Sequence, residues 1–503
     1  MTTIYELIRR VDAQCTALRA PDRPPCSFAE LTGQIDRTLG VLNAIDIGRN
    51  DRVAIVLPNG PEMAGAFISI ACGATTAPLN PGYREDEFDF YFSDLSAKAL
   101  IVHANDDTPA RKVAERLGIT VLQIDASDTD PAGTFEILNA ANAPEGSEFE
   151  LAANEDIALM LHTSGTTSRP KLVPLSHDNL TASAANIQAS LGLSETDSCM
   201  NVMPLFHIHG LAAAILASLG AGGETYCTPG FNALRFFSWL DDAKPTWYTA
   251  VPTMHQAIVS RAARNSEIVQ ANPLRFIRSC SAALPPQVMA EVEEAFGCPV
   301  IEAYAMTEAA HQMTSNPLPP AARKAGSVGI AAGPEVSIMD ETGNLLETGA
   351  TGEVVIRGVN VTSGYEGNPK ANAESYVNGW FRTGDQGVMD ADGYLRITGR
   401  LKEIINRGGE KISPREVDEI LLDHPAIEQV VTFALPHDKL GEDVAAAVVL
   451  SDPSVGEREI REFAAKRLAD FKVPRKIVIV DEIPTGPTDK LQRIGLADKL
   501  GLA

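Results

Sequence analysis

"TSGTTSRPK", residues 163–171, follows the apolar run "DIALMLH" (156–162) and precedes "VPLSHDNL" (173–180). An apolar strand, a hydroxyl- and glycine-rich loop, and then Ser176 as a helix N-cap make a strand–loop–helix passage. The loop falls just short of a Walker loop, G-x-x-x-x-G-K-[ST], because Pro170 precedes Lys171 and Leu172 follows it. With Arg169 and Lys171 at its end, such a loop suits an oxyanion cradle for phosphates. Taken alone it fits an exposed Ser/Thr turn equally well.

On either side of the loop, short apolar runs alternate with helix-like segments. "RVAIVLPNG" (52–60), "EMAGAFISIACGA" (62–74), "AKALIVHA" (97–104), "PARKVAERLG" (109–118) and "ITVLQID" (119–125) set the rhythm, which returns in "TWYTAVP", "RFIRSCSAAL" and "PVIEAYAM". Alternation of this kind predicts an α/β fold with parallel sheets covered by helices. After about residue 325 the texture changes. Closely spaced turn dipeptides in "EVSIMDETGNLLETGATGEVVIRG" (335–358) and "GVMDADGYLRITGR" (387–400) predict antiparallel hairpins. Ser413-Pro414 predicts a helix start, with Ser as N-cap and Pro in the first turn. A boundary is expected near residues 399–402, giving a large domain at 1–400 and a small α+β domain at 401–503.

The chain has 503 residues, 45% hydrophobic and 21% charged, which suits a soluble globular protein of more than one domain. The net charge of -24 disfavours nucleic acid or an anionic membrane as partner, so an anionic substrate needs a locally positive site. The seven cysteines (Cys15, Cys26, Cys72, Cys199, Cys227, Cys280, Cys298) are scattered without a C-x-x-C pair, as expected for reduced thiols in the cytoplasm and not for a zinc site. "MTTIYELIRRVDAQ" reads as a short amphipathic helix rather than a signal peptide, no apolar run is long enough for a membrane span, and "KLGLA" is not a peroxisomal address. The "NLT" and "NVT" tripeptides at 179 and 360 are expected to be chance glycosylation matches.

Further along stand "YAMTE" (304–308), "WFRTGD" (380–385), "GRLKEIINRGGEKISPREVD" (399–418) and "PTDKLQR" (487–493). Together with the opening loop, in this order, they resemble the acyl-adenylate-forming superfamily of acyl-CoA synthetases, luciferases and peptide-synthetase adenylation domains. The resemblance covers nearly the whole chain. It implies a large N-terminal domain with parallel sheets and a small distorted β-barrel, followed by a mobile C-terminal domain. It also implies a carboxylate attacking the α-phosphate of ATP, an encounter of two anions that is blocked without cations and preorganised donors.

The roles it implies are as follows. Thr163, Ser164, Gly165, Thr166, Thr167 and Lys171 hold the β- and γ-phosphates. Glu308 holds Mg²⁺, and Thr307 touches the α-phosphate. Ser281, Ala282 and Ala283, with Glu302, Ala303 and Tyr304, line the nucleotide site. Asp385 and Arg400 take the ribose, Lys402 is the hinge, and Gly408 and Gly409 line the coenzyme A tunnel. Lys490 is the adenylation lysine, its ammonium on a long stem suited to reach carboxylate and α-phosphate together. Asp489 departs from the glycine usual beside it.

Within the superfamily, "RFIRSCSAAL", "YAMTEAAHQMTSNPLP" and the S-R-P-K ending of the loop resemble the oxalate–CoA ligase branch. Oxalate is a small dianion whose second carboxylate needs donors in a pocket that fatty acids would line with apolar groups. His207, Ser279, Ser281 and His311 are the candidate donors, with His207 also at the position of an acyl gate and His209 read as packing. The expected function is therefore an ATP-, Mg²⁺- and CoA-dependent acid–CoA ligase, a cytoplasmic monomer or homodimer acting on oxalate or another very short dicarboxylate. A medium-chain or aromatic acyl-CoA synthetase is the alternative within the class. An ATP-binding regulatory protein with impaired chemistry is the alternative outside it.

Overall fold

The computed structural model describes residues 2–140, 149–163, 170–484 and 493–502. The chain divides into two compact units, one built from residues 1–163, 171–335 and 357–374, the other from 164–170, 336–356 and 375–503.

The first unit holds two largely parallel sheets. One runs Glu136–Ile137, Thr120–Asp125, Ala99–His103, Arg52–Val56, Thr75–Pro78, Ile157–His162, Leu172–Ser176, parallel in its five central strands and antiparallel at both edges. The other runs Ile330–Ala331, His311–Ser315, Val300–Met306, Phe276–Ser279, Trp247–Ala250, Ser198–Asn201, Glu224–Cys227, Thr16–Arg19, Cys26–Ser27. Its middle strands are parallel and buried on both faces, which is why they read as unbroken apolar runs.

The helices between strands carry their own start and stop signals. Pro109–Leu117 begins at Thr108, whose hydroxyl accepts from the Ala110 N–H, and ends on Gly118 in the left-handed region. His177–Leu191 begins at Ser176, which forms a capping box with Asn179, as the sequence predicts. The expected strand–loop–helix order is incomplete in one respect. Residues 172–176 form a strand antiparallel to Ile157–His162, so a second strand precedes the helix.

The second unit contains two five-stranded sheets. One is antiparallel and bulged in two of its pairings, the strand Trp380–Met389 pairing with Thr351–Arg357 and Leu395–Arg400. The other is built on the long hairpin of Ile427–His437 with Gly441–Leu450. It packs its apolar face against Val417, Leu421, Ile460 and Ala464, from the helices Pro414–Leu422 and Glu457–Ala465. Ser413 does sit at the N-cap of Pro414–Leu422, but its hydroxyl accepts from no helix N–H and donates to the Thr398 carbonyl. The tertiary bond outcompetes the local cap.

All seven cysteines are reduced, and every one except Cys15 is buried. Burial drives the thiols of Cys26 and Cys298 up to about 12, and those of Cys72, Cys199 and Cys227 higher still. Among the described residues no helix is long and apolar enough to cross a membrane.

Two buried histidines tie stability to pH. His177 accepts from the Ile4 N–H at 3.1 Å, and His255 lies 3.2 Å from the Tyr248 hydroxyl. Desolvation pulls both imidazoles down to about 4. Unfolded, they take up protons near 6.5, so between pH 6.5 and 4 the unfolded state binds more protons and stability falls with pH. The effect at pH 4.5 is about 2 to 3 kcal/mol for each histidine. His255→Gln should therefore lose markedly less stability than the parent between pH 7 and 4.5 in denaturant titrations. Equal losses in parent and variant would refute this.

Candidate functional site

The first unit collects its polar side chains at the ends of the strands Trp247–Ala250, Phe276–Ser279 and Val300–Met306, and on the segment that follows Ser198–Asn201. That last segment, "PLFHIHG", is fastened by side chains. The Asn201 carboxamide bonds both backbone groups of Met203, and Asn59 Oδ1 accepts from the Leu205 N–H at 2.8 Å. Gly210 must lack a side chain, since a Cβ there would come within 2.5 Å of the Pro204 carbonyl. From His209 to Leu216 the chain runs as a π-helical turn, a geometry that recurs at functional sites.

His209 is the residue that sequence reasoning set aside as packing. It is buried, with Nδ1 3.0 Å from Ser281 Oγ and Nε2 2.6 Å from Thr249 Oγ1, and its ring stands 5.0 Å from that of His311. The structure thus joins two predicted residues, Ser281 and His311, through two that were not predicted, His209 and Thr249. Ser281, Ala310 and His311 have φ of 73°, 47° and 106°, a region that favours glycine. Holding serine and histidine there costs roughly 1–3 kcal/mol each, and such strain clusters where side chains have work to do. Ser279 is fully buried, and its hydroxyl has no hydrogen-bond partner among the described residues. His207 is half-buried, its ring 5.0 Å from Phe206.

The residues expected to line a nucleotide site lie on the neighbouring strand and the turns that follow it. Glu302, paired in register with Ser279, accepts from the Leu284 N–H at 3.1 Å. Ala303 is buried, Tyr304 is half-buried, and Ala282 and Ala283 are exposed. Thr307 opens a short 3₁₀ turn that delivers Glu308. Glu308 is only 7% exposed, and its Oε1 accepts from the Tyr365 hydroxyl at 2.8 Å. The turn is braced from behind, because Thr362 N–H donates to the Glu308 carbonyl and the Asn360 carboxamide donates to those of Ala309 and Gln312. Asn360 is 1% exposed and Asn179 donates to Val359 and Val361, so both Asn-x-Thr tripeptides are structural braces.

Only the two ends of the opening loop are described. Thr163 N–H donates to the Lys171 carbonyl at 2.9 Å, and Lys171 N–H to Thr163 Oγ1 at 3.1 Å. The Lys171 ammonium sits 4.2 Å from the centroid of the Tyr365 ring. Tyr365, absent from the sequence reading, therefore links the loop's lysine to Glu308. Ser164, Gly165, Thr166 and Thr167 lie outside the described residues, as does Lys490.

In the second unit, Asp385 and Arg400 face each other across the hairpin, Arg400 Nε donating to Asp385 Oδ1 at 3.0 Å. Asp385 is buried, whereas the Arg400 side chain is 56% exposed. Lys402 is exposed in the 3₁₀ turn Leu401–Glu403. Gly408 and Gly409, both at positive φ, form the two-residue turn of the hairpin Ile405–Arg407 and Glu410–Ile412, the geometry such turns require. Arg493 binds Asp418 at 2.6 Å and Glu403 at 3.3 Å, and burial holds both carboxyls above their ordinary values despite the guanidinium.

Among the described residues no cluster of three or more His, Cys, Asp or Glu could hold a metal. A lone buried carboxylate bonded to a neutral phenol, as Glu308 is, matches Mg²⁺ as it arrives with nucleotide phosphates, needing one or two protein oxygens.

Comparison with known proteins gives the following. Residues 11–366 match the family model of AMP-binding enzymes, and residues 416–490 match that of the AMP-binding enzyme C-terminal domain. An oxalate–CoA ligase of Arabidopsis thaliana is 48% identical over 95% of this chain and 95% of that protein. One from Saccharomyces cerevisiae is 42% identical over 90% of this chain and 87% of that protein. Among solved structures, ATP-bound MatB from Rhodopseudomonas palustris superposes with a TM-score of 0.88 at 28% identity, covering 99% of both chains.

Tyr365→Phe keeps the ring under Lys171 but releases Glu308. Losing a hydrogen bond to a charged group should raise the KM for MgATP or lower kcat by about 10-fold. Steady-state kinetics at varied MgATP would measure it, and an unchanged KM and kcat would rule out a role for this bond.

Proposed function

The chain belongs to the AMP-binding enzyme family, and from that premise we propose that it is an AMP-forming acid–CoA ligase acting on oxalate or another very short dicarboxylate. The observation that carries the choice of acid is the cluster of buried His209, Thr249 and His311 with half-buried Ser281, polar where a ligase for a fatty or aromatic acid needs apolar walls. The similarity to oxalate–CoA ligases of a plant and a yeast supports the same reading.

In the first half-reaction a carboxylate oxygen attacks the α-phosphate of ATP, and pyrophosphate leaves with the new acyl-AMP bond formed. Thr163, Ser164, Gly165, Thr166, Thr167 and Lys171 hold the departing phosphates, and Thr307 bonds the α-phosphate. Glu308, oriented by Tyr365, would hold Mg²⁺, which would supply the charge neutralisation the phosphates need. Asp385 and Arg400 hold the ribose, while Ser281–Ala283 and Glu302–Tyr304 receive the rest of the nucleotide. Lys490 places its cation between the two anions, so that their repulsion is offset as the bond forms. His207 closes over the carboxylate, and Ser279, Ser281 and His311 hold it in the pocket.

In the second half-reaction the CoA thiol attacks the acyl-AMP carbonyl and AMP leaves. Gly408 and Gly409 line the pantetheine path, where the missing side chains allow close approach. Lys402 serves as the hinge of a C-terminal domain beginning near residue 401. We place the enzyme in the cytoplasm as a monomer or homodimer.

Pyrophosphate release across oxalate, malonate, hexanoate and benzoate tests the acid. Oxalate or malonate should lead, and good turnover of hexanoate or benzoate with none of either diacid would overturn the assignment. A second prediction uses backbone strain. Ser281→Gly and His311→Gly relieve a positive φ and should leave stability within about 1 kcal/mol of the parent or above it. They should also cut kcat/KM for the diacid by at least about 10-fold. Parallel losses in melting temperature and activity would show that these side chains serve folding instead.

A further inference from the structure

Arg278 carries a charge that the chemistry above leaves unused. It lies on the strand Phe276–Ser279 and is wholly buried. Its Nη2 donates to Gln312 Oε1 at 3.2 Å and its guanidinium also hydrogen-bonds the Cys280 side chain, but no carboxylate is among the groups that act on it. The titratable groups beside it are the thiols of Cys280 and Cys199, not carboxylates, and burial keeps Cys199 protonated. An arginine keeps its proton even where desolvation opposes it, and an isolated buried cation is among the most expensive groups a fold can hold.

Its position explains why the cost is tolerated. Parallel register sets Arg278 beside Thr249 on one face of the sheet, the face marked two residues earlier by the Trp247 and Phe276 rings, 5.4 Å apart. Thr249 Oγ1 lies 2.6 Å from His209 Nε2, and His209 Nδ1 lies 3.0 Å from Ser281 Oγ. Gln312, which takes the Arg278 hydrogen bond, directly follows His311 in the chain. Arg278 thus shares a sheet face with the residue that bonds His209, and its own hydrogen-bond partner adjoins His311, both of them side chains of the proposed acid pocket. At that depth a positive charge is weakly screened, and it favours a ligand that brings a second negative charge.

We propose that Arg278 is a specificity-determining positioning residue whose buried guanidinium selects acids that carry a second carboxylate. The proposal rests on the ligase reading above, and it goes beyond that reading by placing the charge selection in a residue that need not touch the substrate. The competing role is structural. Gln312 also donates to Ser190 Oγ at 2.9 Å, so Arg278 could serve only to pin that strand to the helix His177–Leu191. A pin affects every acid alike, whereas a counter-charge affects dianions selectively.

The test compares oxalate with oxamate, its monoamide, which has nearly the same shape and one charge fewer. Pyrophosphate release by the full-length enzyme is measured for the parent, Arg278→Met and Arg278→Lys. Arg278→Met should lower kcat/KM for oxalate about 100-fold and change that for oxamate less than about 3-fold. Arg278→Lys keeps a cation but shortens its reach, and should cost oxalate about 5- to 10-fold with oxamate unaffected. If Arg278→Met does not fold, Arg278→Lys decides by itself. In either variant, equal effects on the two acids, or no effect on either, would overturn the proposal. If the parent turns over another short diacid instead, that diacid and its monoamide replace the pair. A parent that uses no diacid at all refutes the assignment of substrate class and is distinguishable from a failure of Arg278 alone.

Discussion

The candidate site in the larger unit hangs on the in-register parallel pairing of Trp247–Ala250 with Phe276–Ser279, and of that strand with Val300–Met306. Parallel strands all finish at the same edge of a sheet, and the loops leaving that edge come together without any long-range instruction. Here the loops deliver Ser281, Glu308 and His311, and the segment after Ser198–Asn201 adds His209. The same register sets Thr249 opposite Arg278 and Ser279 opposite Glu302. Because side chains alternate between faces, a slip of one residue would send Arg278 into the apolar layer of Tyr248, Ile277 and Val300, and would withdraw Thr249 from His209. The pocket's chemistry is therefore only as secure as the sheet's register, and that is fixed by large buried side chains such as Trp247, Tyr248 and Phe276.

The alternation of apolar runs with helical segments made the parallel sheets legible, because a strand buried on both faces has no choice but continuous hydrophobicity. Caps that act locally were legible as well. Ser176 and Asn179 lie within one helical turn of each other, so their reciprocal bonds are written in four consecutive residues. Ser413 shows the limit of that reasoning, since its hydroxyl found a carbonyl 15 residues away that no local rule could weigh. His209 and Tyr365 were missed for the same reason. Nothing near His209 in sequence announces Thr249 or Ser281, and Tyr365 is separated from Glu308 by 57 residues. Arg278 lies inside "RFIRSCSAAL", and a charged residue in a strand shows its cost only once its burial and its lack of a carboxylate partner are known.

The candidate site also departs from what local backbone preference would choose. Glycine would settle comfortably at 281, 310 and 311, yet serine, alanine and histidine stand there. The strain is held by neighbours that leave the turn little freedom, among them Asn360, Thr362 and the Thr249–His209–Ser281 chain of hydrogen bonds. A fold can sustain several such local conflicts when the surrounding layers are well packed, and the surrounding sheet is buried on both sides.

The cysteines acquire a meaning from the reaction itself. An acyl-adenylate is a strong electrophile and a thioester exchanges readily with thiolates, so an enzyme that makes both must not offer nucleophilic sulfur of its own. Six of the seven cysteines are buried, and those with raised values stay fully protonated at neutral pH. The interior thus works as a chemical quarantine, in which the protein's sulfur atoms pack as small hydrophobes while the incoming thiol of coenzyme A faces little competition for the activated acyl group.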